Sequence, residues 1–279
     1  AGSPPIGTCV TTAFQRVIIG NLTIGGQRYS SALWPSGFQD PTSWNSADLV
    51  NLPDTGDTIV EVKSFSDQMF AIYKDRSQWV GIGAGNLFPF IYELKDRQVG
   101  PVSSAVVVQA EDAHYYLGQD GDIYRFEGNK CRAIGGYARR LIQSDLDFVN
   151  AVRAHGFFDE INREVWWIWP SFLSVDGFNG IAYRLPYNDV PGAFSPLLKF
   201  SVIPTASFPW RDTQAFGWND LSAFTWDDVA TTYPTWDSFP NQARIGALVG
   251  LTTGDVSRFG RASGDNGQEF NASWDMPFR

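Results

Sequence analysis

The sequence predicts an all-β fold, a β-propeller of five or six four-stranded blades, on three observations. Phe, Tyr and Trp make up 15% of the chain, and aromatic and β-branched residues favour extended backbone. Gly 27 and Pro 16 punctuate the 279 residues so often that long helical periodicity has little room. Apolar strands that open a hairpin group recur near Phe14, Thr58, Ala105, Ala151, Lys199 and Arg244, at separations of 44, 47, 46, 48 and 45 residues. Four-stranded units repeating every 40–50 residues or so indicate blades, which cannot cover both their own faces and so pack around a ring. The alternative is a tandem β-sandwich of about 100 residues per unit, which has no need of that repeat.

The elements follow from local pattern. Phe14–Ile19 opens the chain's first strand group. Thr58–Val62, Met69–Tyr73, Ser77–Ile82 and Phe90–Leu94 form one quartet, and Ala105–Gln109, Ala113–Leu117, Asp122–Phe126 and Cys131–Ile134 form the next. Within the second quartet Gly118-Gln119-Asp120-Gly121 is the clearest turn, since glycine accepts positive φ without a Cβ clash. Tyr137–Asn150 is the best helical stretch. Val165–Trp169, Gly180–Leu185 and Ile245–Leu251 continue the strands. Residues 1–279 read as a single domain with a Trp/Asp-rich insertion at about 208–241, in which Trp218-Asn219-Asp220, Trp226-Asp227-Asp228 and Trp236-Asp237-Ser238 replace aliphatic runs.

Charge and composition exclude several classes of function. Lys+Arg 21 against Asp+Glu 30 gives −9, the wrong sign for gripping nucleic acid by counterion release or for docking on an anionic membrane. No run approaches the roughly 20 apolar residues of a membrane span, and Ala1–Pro5 carries no leader-like basic and apolar regions. Cys9 and Cys131 are the only cysteines and read as reduced, buried thiols, their spacing matching no metal motif. His114 and His155 are the only histidines, and no G-x-S-x-G elbow accompanies either, so both read as structural.

Other motifs read as structure too. Gly81-Ile82-Gly83-Ala84-Gly85 is one residue short of a dinucleotide fingerprint, and Pro89 follows where a helix would have to start. The Trp-Asp pairs are crowded together and lack an upstream Gly-His, which rejects a WD repeat. Sugar cleavage needs two carboxyls flanking one bond, and among Asp75, Glu93, Asp112 and Glu164 nothing singles out a pair. Trp218, Trp226 and Trp236 could cap apolar edges, anchor a protein interface or stack on sugar rings. The interface is the role assigned to them here, so changing each singly to Ala should weaken assembly and leave the monomer folded.

Met69–Tyr183 resembles the propeller domain of tail nozzle, tail tubular or tail hub proteins of short-tailed bacteriophages. The segments that carry the resemblance are Phe70-Ala71-Ile72-Tyr73-Lys74-Asp75-Arg76-Ser77-Gln78-Trp79, Tyr92-Glu93-Leu94 and Val99-Gly100-Pro101-Val102-Ser103. They continue with Tyr116-Leu117-Gly118-Gln119-Asp120-Gly121-Asp122-Ile123-Tyr124-Arg125-Phe126-Glu127-Gly128-Asn129 and Arg163-Glu164-Val165-Trp166-Trp167-Ile168-Trp169-Pro170. The resemblance implies a structural virion protein, not an enzyme, with no cofactor and no metal. It implies a homo-oligomeric ring, of hexameric order, in contact with other tail proteins. DNA would pass its channel without specific binding, which a net charge of −9 suits. The location implied is the phage tail, assembled in the host cytoplasm, with no membrane. The competing reading is a carbohydrate-binding or glycoside-hydrolysing propeller.

Overall fold

The computed structural model describes residues 5–84, 89–97, 99–160, 162–173, 177–188, 190–200, 204–212, 244–251, 256–259, 264–265 and 268–269. The chain is all-β, built from a succession of antiparallel meanders, and none of the sheets closes on itself. The first sheet holds β1 (Ile6–Ala13), β2 (Arg16–Ile24), β3 (Gln27–Pro35) and β4 (Val50–Asn51) in that order. The second holds β5 (Ile59–Ser66), β6 (Met69–Lys74), β7 (Gln78–Gly83) and β8 (Phe90–Asp96). The third holds β9 (Val108–Ala110), β10 (Ala113–Leu117), β11 (Ile123–Phe126) and β12 (Cys131–Ala133). Helix α1 (Ala138–Asp145) then leads to a fourth sheet of β13 (His155–Asp159), β14 (Glu164–Pro170), β15 (Phe178–Arg184) and β16 (Ala193–Phe194), with β17 (Leu198–Phe200) also pairing β15. A three-stranded fifth sheet holds β18 (Pro204–Asp212), β19 (Arg244–Leu251) and β20 (Val256–Phe259), and β21 (Gly264–Asp265) pairs with β22 (Gln268–Glu269).

Several expected boundaries move. Phe14 does not open a strand: β1 precedes it, and Phe14 and Gln15 form the β1–β2 turn at φ 51° and 54°. Left-handed backbone is costly for so bulky a residue. It is held there by packing of the Phe14 ring on Phe90 and Phe38 and by its amide, which donates to Asp67 O. Lys199 belongs to β17 of the fourth sheet, and Arg244 starts the second strand of the fifth, so neither opens a unit. The sheets begin at Ile6, Ile59, Val108, His155 and Pro204, separations of 53, 49, 47 and 49 residues. Phe208-Pro209-Trp210 lies in β18 rather than in the insertion; Pro209 is tolerated because β18 is an edge strand. The chain leaves at Asp212 and returns at its paired residue Arg244.

Side-chain alternation explains why successive sheets stack. Phe70 and Ile72 of β6 join Cys9, Ala13, Ile18 and Leu33 in the core between the first and second sheets. Their neighbours Ala71 and Tyr73 point the other way, into a core shared with Tyr116, Phe126, Trp167 and Trp169 of the third and fourth sheets. In β14, Trp166 and Ile168 pack with Phe157 and Phe178 on the opposite face from Trp167 and Trp169. Strands covered on both faces read as continuous apolar runs rather than as polar–apolar alternation. First strands also meet: β1 packs on β5, β9 on β13 and β13 on β18.

The units have two distinct ends. The turns between first and second strands share one end, where the Phe14 amide meets Asp67 and Arg163 pairs with Glu111 of the neighbouring sheet. The linkers between sheets cross the opposite end, each bonding the second hairpin of the sheet it enters. Asp75 N donates to Thr58 O at 3.0 Å, Val102 N to Leu117 O at 3.0 Å and Asp147 N to Pro170 O at 2.9 Å. Phe200 of β17 pairs with Phe178 at this linker end.

Candidate functional site

The linker end concentrates the chain's buried polar groups. Where the first linker enters the second sheet, Lys74 is fully buried at the end of β6. Its ammonium donates to Leu52 O and Thr55 Oγ1, both at 2.8 Å, and pairs with Asp57 at 2.8 Å. Asp57 also accepts from Arg76 N at 2.9 Å and Ser77 Oγ at 3.0 Å. Burial alone would raise the Asp57 carboxyl, but Lys74, Thr55 and the Arg76 amide hold it below the ordinary value. The second linker passes so close that a Cβ on Gly100 would lie 2.0 Å from Lys74 O, which leaves room only for glycine.

Beside this knot a cleft opens between the second and third sheets, lined by Asp75, Arg76, Arg97, Val99, Gln119 and Asp120. Asp75 accepts from Thr58 N at 3.1 Å and from Gln119 Nε2 at 3.3 Å. Asp120 accepts from Asp122 N at 3.1 Å and Tyr124 Oη at 3.0 Å, inside the expected turn where Gly121 takes φ 75°. Both carboxylates thus hold backbone turns, and neither histidine lines the cleft. Under the third linker, Asp145 accepts from Ser171 Oγ at 2.6 Å, Trp169 Nε1 at 2.8 Å and Asn179 Nδ2 at 2.9 Å.

The seam between the second and third sheets is equally occupied. His114 donates from Nε2 to Ser64 O at 3.0 Å, so its Nδ1 accepts from Tyr73 Oη at 2.8 Å. Phe65 stacks on its ring at 3.8 Å, and burial pushes its pKa down to about 3. An imidazole this far below its ordinary value stays neutral, and its contribution to stability is lost as pH falls from 6.5 toward 3. Tyr116 Oη donates to Val99 O at 3.0 Å and lies 3.4 Å from Cys131 Sγ. Both cysteines are free and buried, and burial pushes each thiol up to about 12.

Glu61 on β5 is the group whose titration matters near neutrality. Burial raises it from 4.5 to about 7, against the opposing effects of Lys63 and the Val62 amide. The folded state therefore holds the proton more tightly than the unfolded chain. The stability this contributes is complete below pH 4.5 and lost as pH rises through 7. Glu61→Gln should accordingly flatten the stability profile between those limits and stabilise the protein at pH 8 by on the order of 2 kcal/mol. Thermal melts across that range check it; a variant that melts in parallel with the wild type at every pH would show that Glu61 stays charged throughout.

The residues singled out from sequence are scattered over this frame. Asp75 lies in the linker-end cleft, while Glu93 sits on β8 paired with Lys95 at 2.5 Å. Asp112 is in the β9–β10 turn, and Glu164 pairs with Arg184 at 2.9 Å. Gly81 and Gly83 belong to β7, where Phe70 and Phe14 occupy the space a Cβ would need. His155 donates from Nδ1 to Arg153 O at 3.2 Å. Trp218, Trp226 and Trp236 lie outside the described residues. Among the described residues no three His, Cys, Asp or Glu side chains group to hold a metal ion, and no helix is long and apolar enough to cross a membrane. The Lys74–Asp57 and Asp145 networks had no signal in the sequence, because Lys74 lies 17 positions from Asp57 and Asp145 lies 24 to 34 positions from its side-chain donors, with no motif joining them.

No family model and no curated protein matches the chain. Among solved structures, a hypothetical selenium-binding protein from Sulfolobus tokodaii is similar at a TM-score of 0.42 and 10% identity, over 66% of this chain and 52% of that one. The tricorn protease is similar at a TM-score of 0.32 and 10% identity, over 92% of this chain and 30% of that one. The chain thus spans about half the length of the first and under a third of the second.

Proposed function

We propose that the chain is a β-propeller of five or six blades and serves as a non-enzymatic structural component of a short-tailed phage tail. In that role it forms a ring around the DNA channel and contacts neighbouring tail proteins. The observation that carries the propeller is the serial stacking: each sheet is a sequential meander, and first strands pack on one another at three of the four junctions, β1 on β5, β9 on β13 and β13 on β18. A sandwich would instead exchange strands between two facing sheets. The segments that carry the resemblance fall on equivalent places, the β6–β7 hairpin, the β10–β11 hairpin and β14. A mechanical role is supported by how the described polar groups are used. The neutral His114, the Lys74–Asp57 pair and Asp145 all weld sheet to sheet or linker to sheet, and the cleft carboxylates hold turns.

Imaging the purified chain and virions tests the reading. A ring with rotational symmetry, found also at the tail of the particle, is the expected result. A monomer that binds a glycan saturably or releases product from it would replace this reading with the carbohydrate one.

A further inference from the structure

Three connections meet at the turn end between the first and second sheets and enclose a pocket of about 470 Å³, within the roughly 300–1,000 Å³ of small-ligand sites. Thr12, Phe14 and Gln15 come from the β1–β2 hairpin, Phe38 from the β3–β4 connection, and Asp67 and Gln68 from the β5–β6 turn. Their backbones are tied together: the Phe14 amide donates to Asp67 O, Gln39 N to Gln15 O at 2.9 Å and Gly83 N to Gln68 O at 3.0 Å. Gln39 Nε2 also donates to Gln15 Oε1. The walls are therefore set before a ligand arrives. Turn geometry does not account for the residues found here. Phe14, Gln15 and Gln39 all take left-handed backbone, at φ 51°, 54° and 55°. A two-residue hairpin turn with both φ positive favours Asn-Gly, and strained backbone of this kind collects at ligand clamps. What the strain places is a phenyl ring and a carboxamide in the wall of the pocket.

The lining selects a ligand by sign and by shape. Among the described residues no lysine, arginine or histidine lines the pocket, and the Asp67 carboxylate and Gln68 carboxamide have no side-chain partner. Arg16, next along the chain, is engaged elsewhere, donating to Ser36 O at 2.6 Å. The Phe14 and Phe38 rings stand 6.2 Å apart and tilted by 56°, so they make a corner rather than a flat shelf, and Phe38 is half exposed there. An anion is repelled by Asp67. A neutral sugar stacks on a flat aromatic shelf, and it would leave the carboxylate's charge uncompensated as it desolvates it. A compact organic cation meets both demands, pairing with the carboxylate and sitting within about 6 Å of the ring faces. We propose that this pocket takes the ammonium or guanidinium head of a group the size of a lysine or arginine side chain. The inference goes beyond the ring reading and stands or falls without it.

Titration calorimetry of the full chain, with backbone amide shifts to locate the site, tests it. The probes are Nα-acetyl-lysine amide, Nα-acetyl-arginine amide and butylamine, against Nα-acetyl-glutamine amide and methyl glucoside as neutral controls. A cationic probe is expected to bind saturably, to move the Gln15, Phe38 and Gln68 amides, and to bind more weakly as salt rises. Asp67→Asn should weaken it about tenfold or more, and Phe38→Ala about two- to fivefold. Both melting temperatures should stay unchanged, because both side chains are exposed. Capped residues that bind more tightly than butylamine assign the group to a side chain of a partner protein; parity or the reverse order assigns it to a free amine. No saturable binding by any cationic probe overturns the proposal, as does an affinity unchanged in Asp67→Asn or a neutral control bound as tightly. If Asp67→Asn melts early, the salt series on the wild type decides in its place, and binding that high salt leaves unchanged overturns the proposal.

Discussion

Replacing Asp57 with Ala is expected to destabilise the protein by about 3–5 kcal/mol, because it leaves the Lys74 ammonium buried without a counter-charge. Lys74 is fully buried, and its remaining partners, Leu52 O and Thr55 Oγ1, accept hydrogen bonds without neutralising it. The loss spreads beyond the pair. Asp57 also ties Arg76 N and Ser77 Oγ, so the first linker would come away from the β6–β7 hairpin. Lys74→Met should cost less: it removes the buried charge itself, and Asp57 keeps its neutral donors. The ordering of the two variants is thus diagnostic. Denaturant unfolding followed by circular dichroism measures both. If Asp57→Ala unfolds within about 0.5 kcal/mol of the wild type, Lys74 must reach water and the knot is not the clamp described here.

The same pair shows what could and could not be read from the chain. The second and third sheets were legible almost strand for strand. β6 and β10 are apolar on both faces, and Asp120-Gly121 marks a turn that only positive φ can make. β1 was not legible. Ile6-Gly7-Thr8-Cys9-Val10 has weak alternation, and its turn is made by Phe14 and Gln15 in a conformation that sequence rules reserve for Gly and Asn. Tertiary packing of Phe14 overrides that local preference. The repeat was visible but mis-phased for the same reason, with Phe14 read as a strand and the second strand of the fifth sheet read as a new unit. Helix α1 was found but overextended, since the stretch after Asp145 turns outward to place Phe148 and Val149 in solvent.

Polar knots escape a linear reading altogether. Asp57, Asp75, Asp120 and Asp145 are alike in sequence, yet only Asp57 and Asp145 face a cluster of buried donors. Their position under a linker decides it, and that position exists only once the meanders stack. The aromatic runs could announce that strands are buried; they could not announce which carboxylate would be enclosed with them.

Asp145→Ala is the second large effect. The carboxylate is 2% exposed and accepts from Trp169 Nε1, Ser171 Oγ and Asn179 Nδ2. It does so at the C-terminus of α1, where a negative charge is disfavoured by the helix dipole, so these donors must more than offset that cost. Removing it strands three buried donors at about 1–3 kcal/mol each, for an expected loss of about 3–5 kcal/mol after relaxation. Asp145→Asn should recover only part, because its amide offers donors where Trp169 and Asn179 already donate. The loosening should be local to the third linker and the β14–β15 connection, which Asp145 ties together through Ser171 and the Phe172 amide. Hydrogen exchange separates this from a global effect. The Leu146 and Phe172 amides, which donate to Ile142 O and Asp145 O, should lose protection first, while β6 and β7 stay protected. Uniform loss across all sheets, or an Asp145→Ala protein as stable as the wild type, would show that the carboxylate does not organise this end of the molecule.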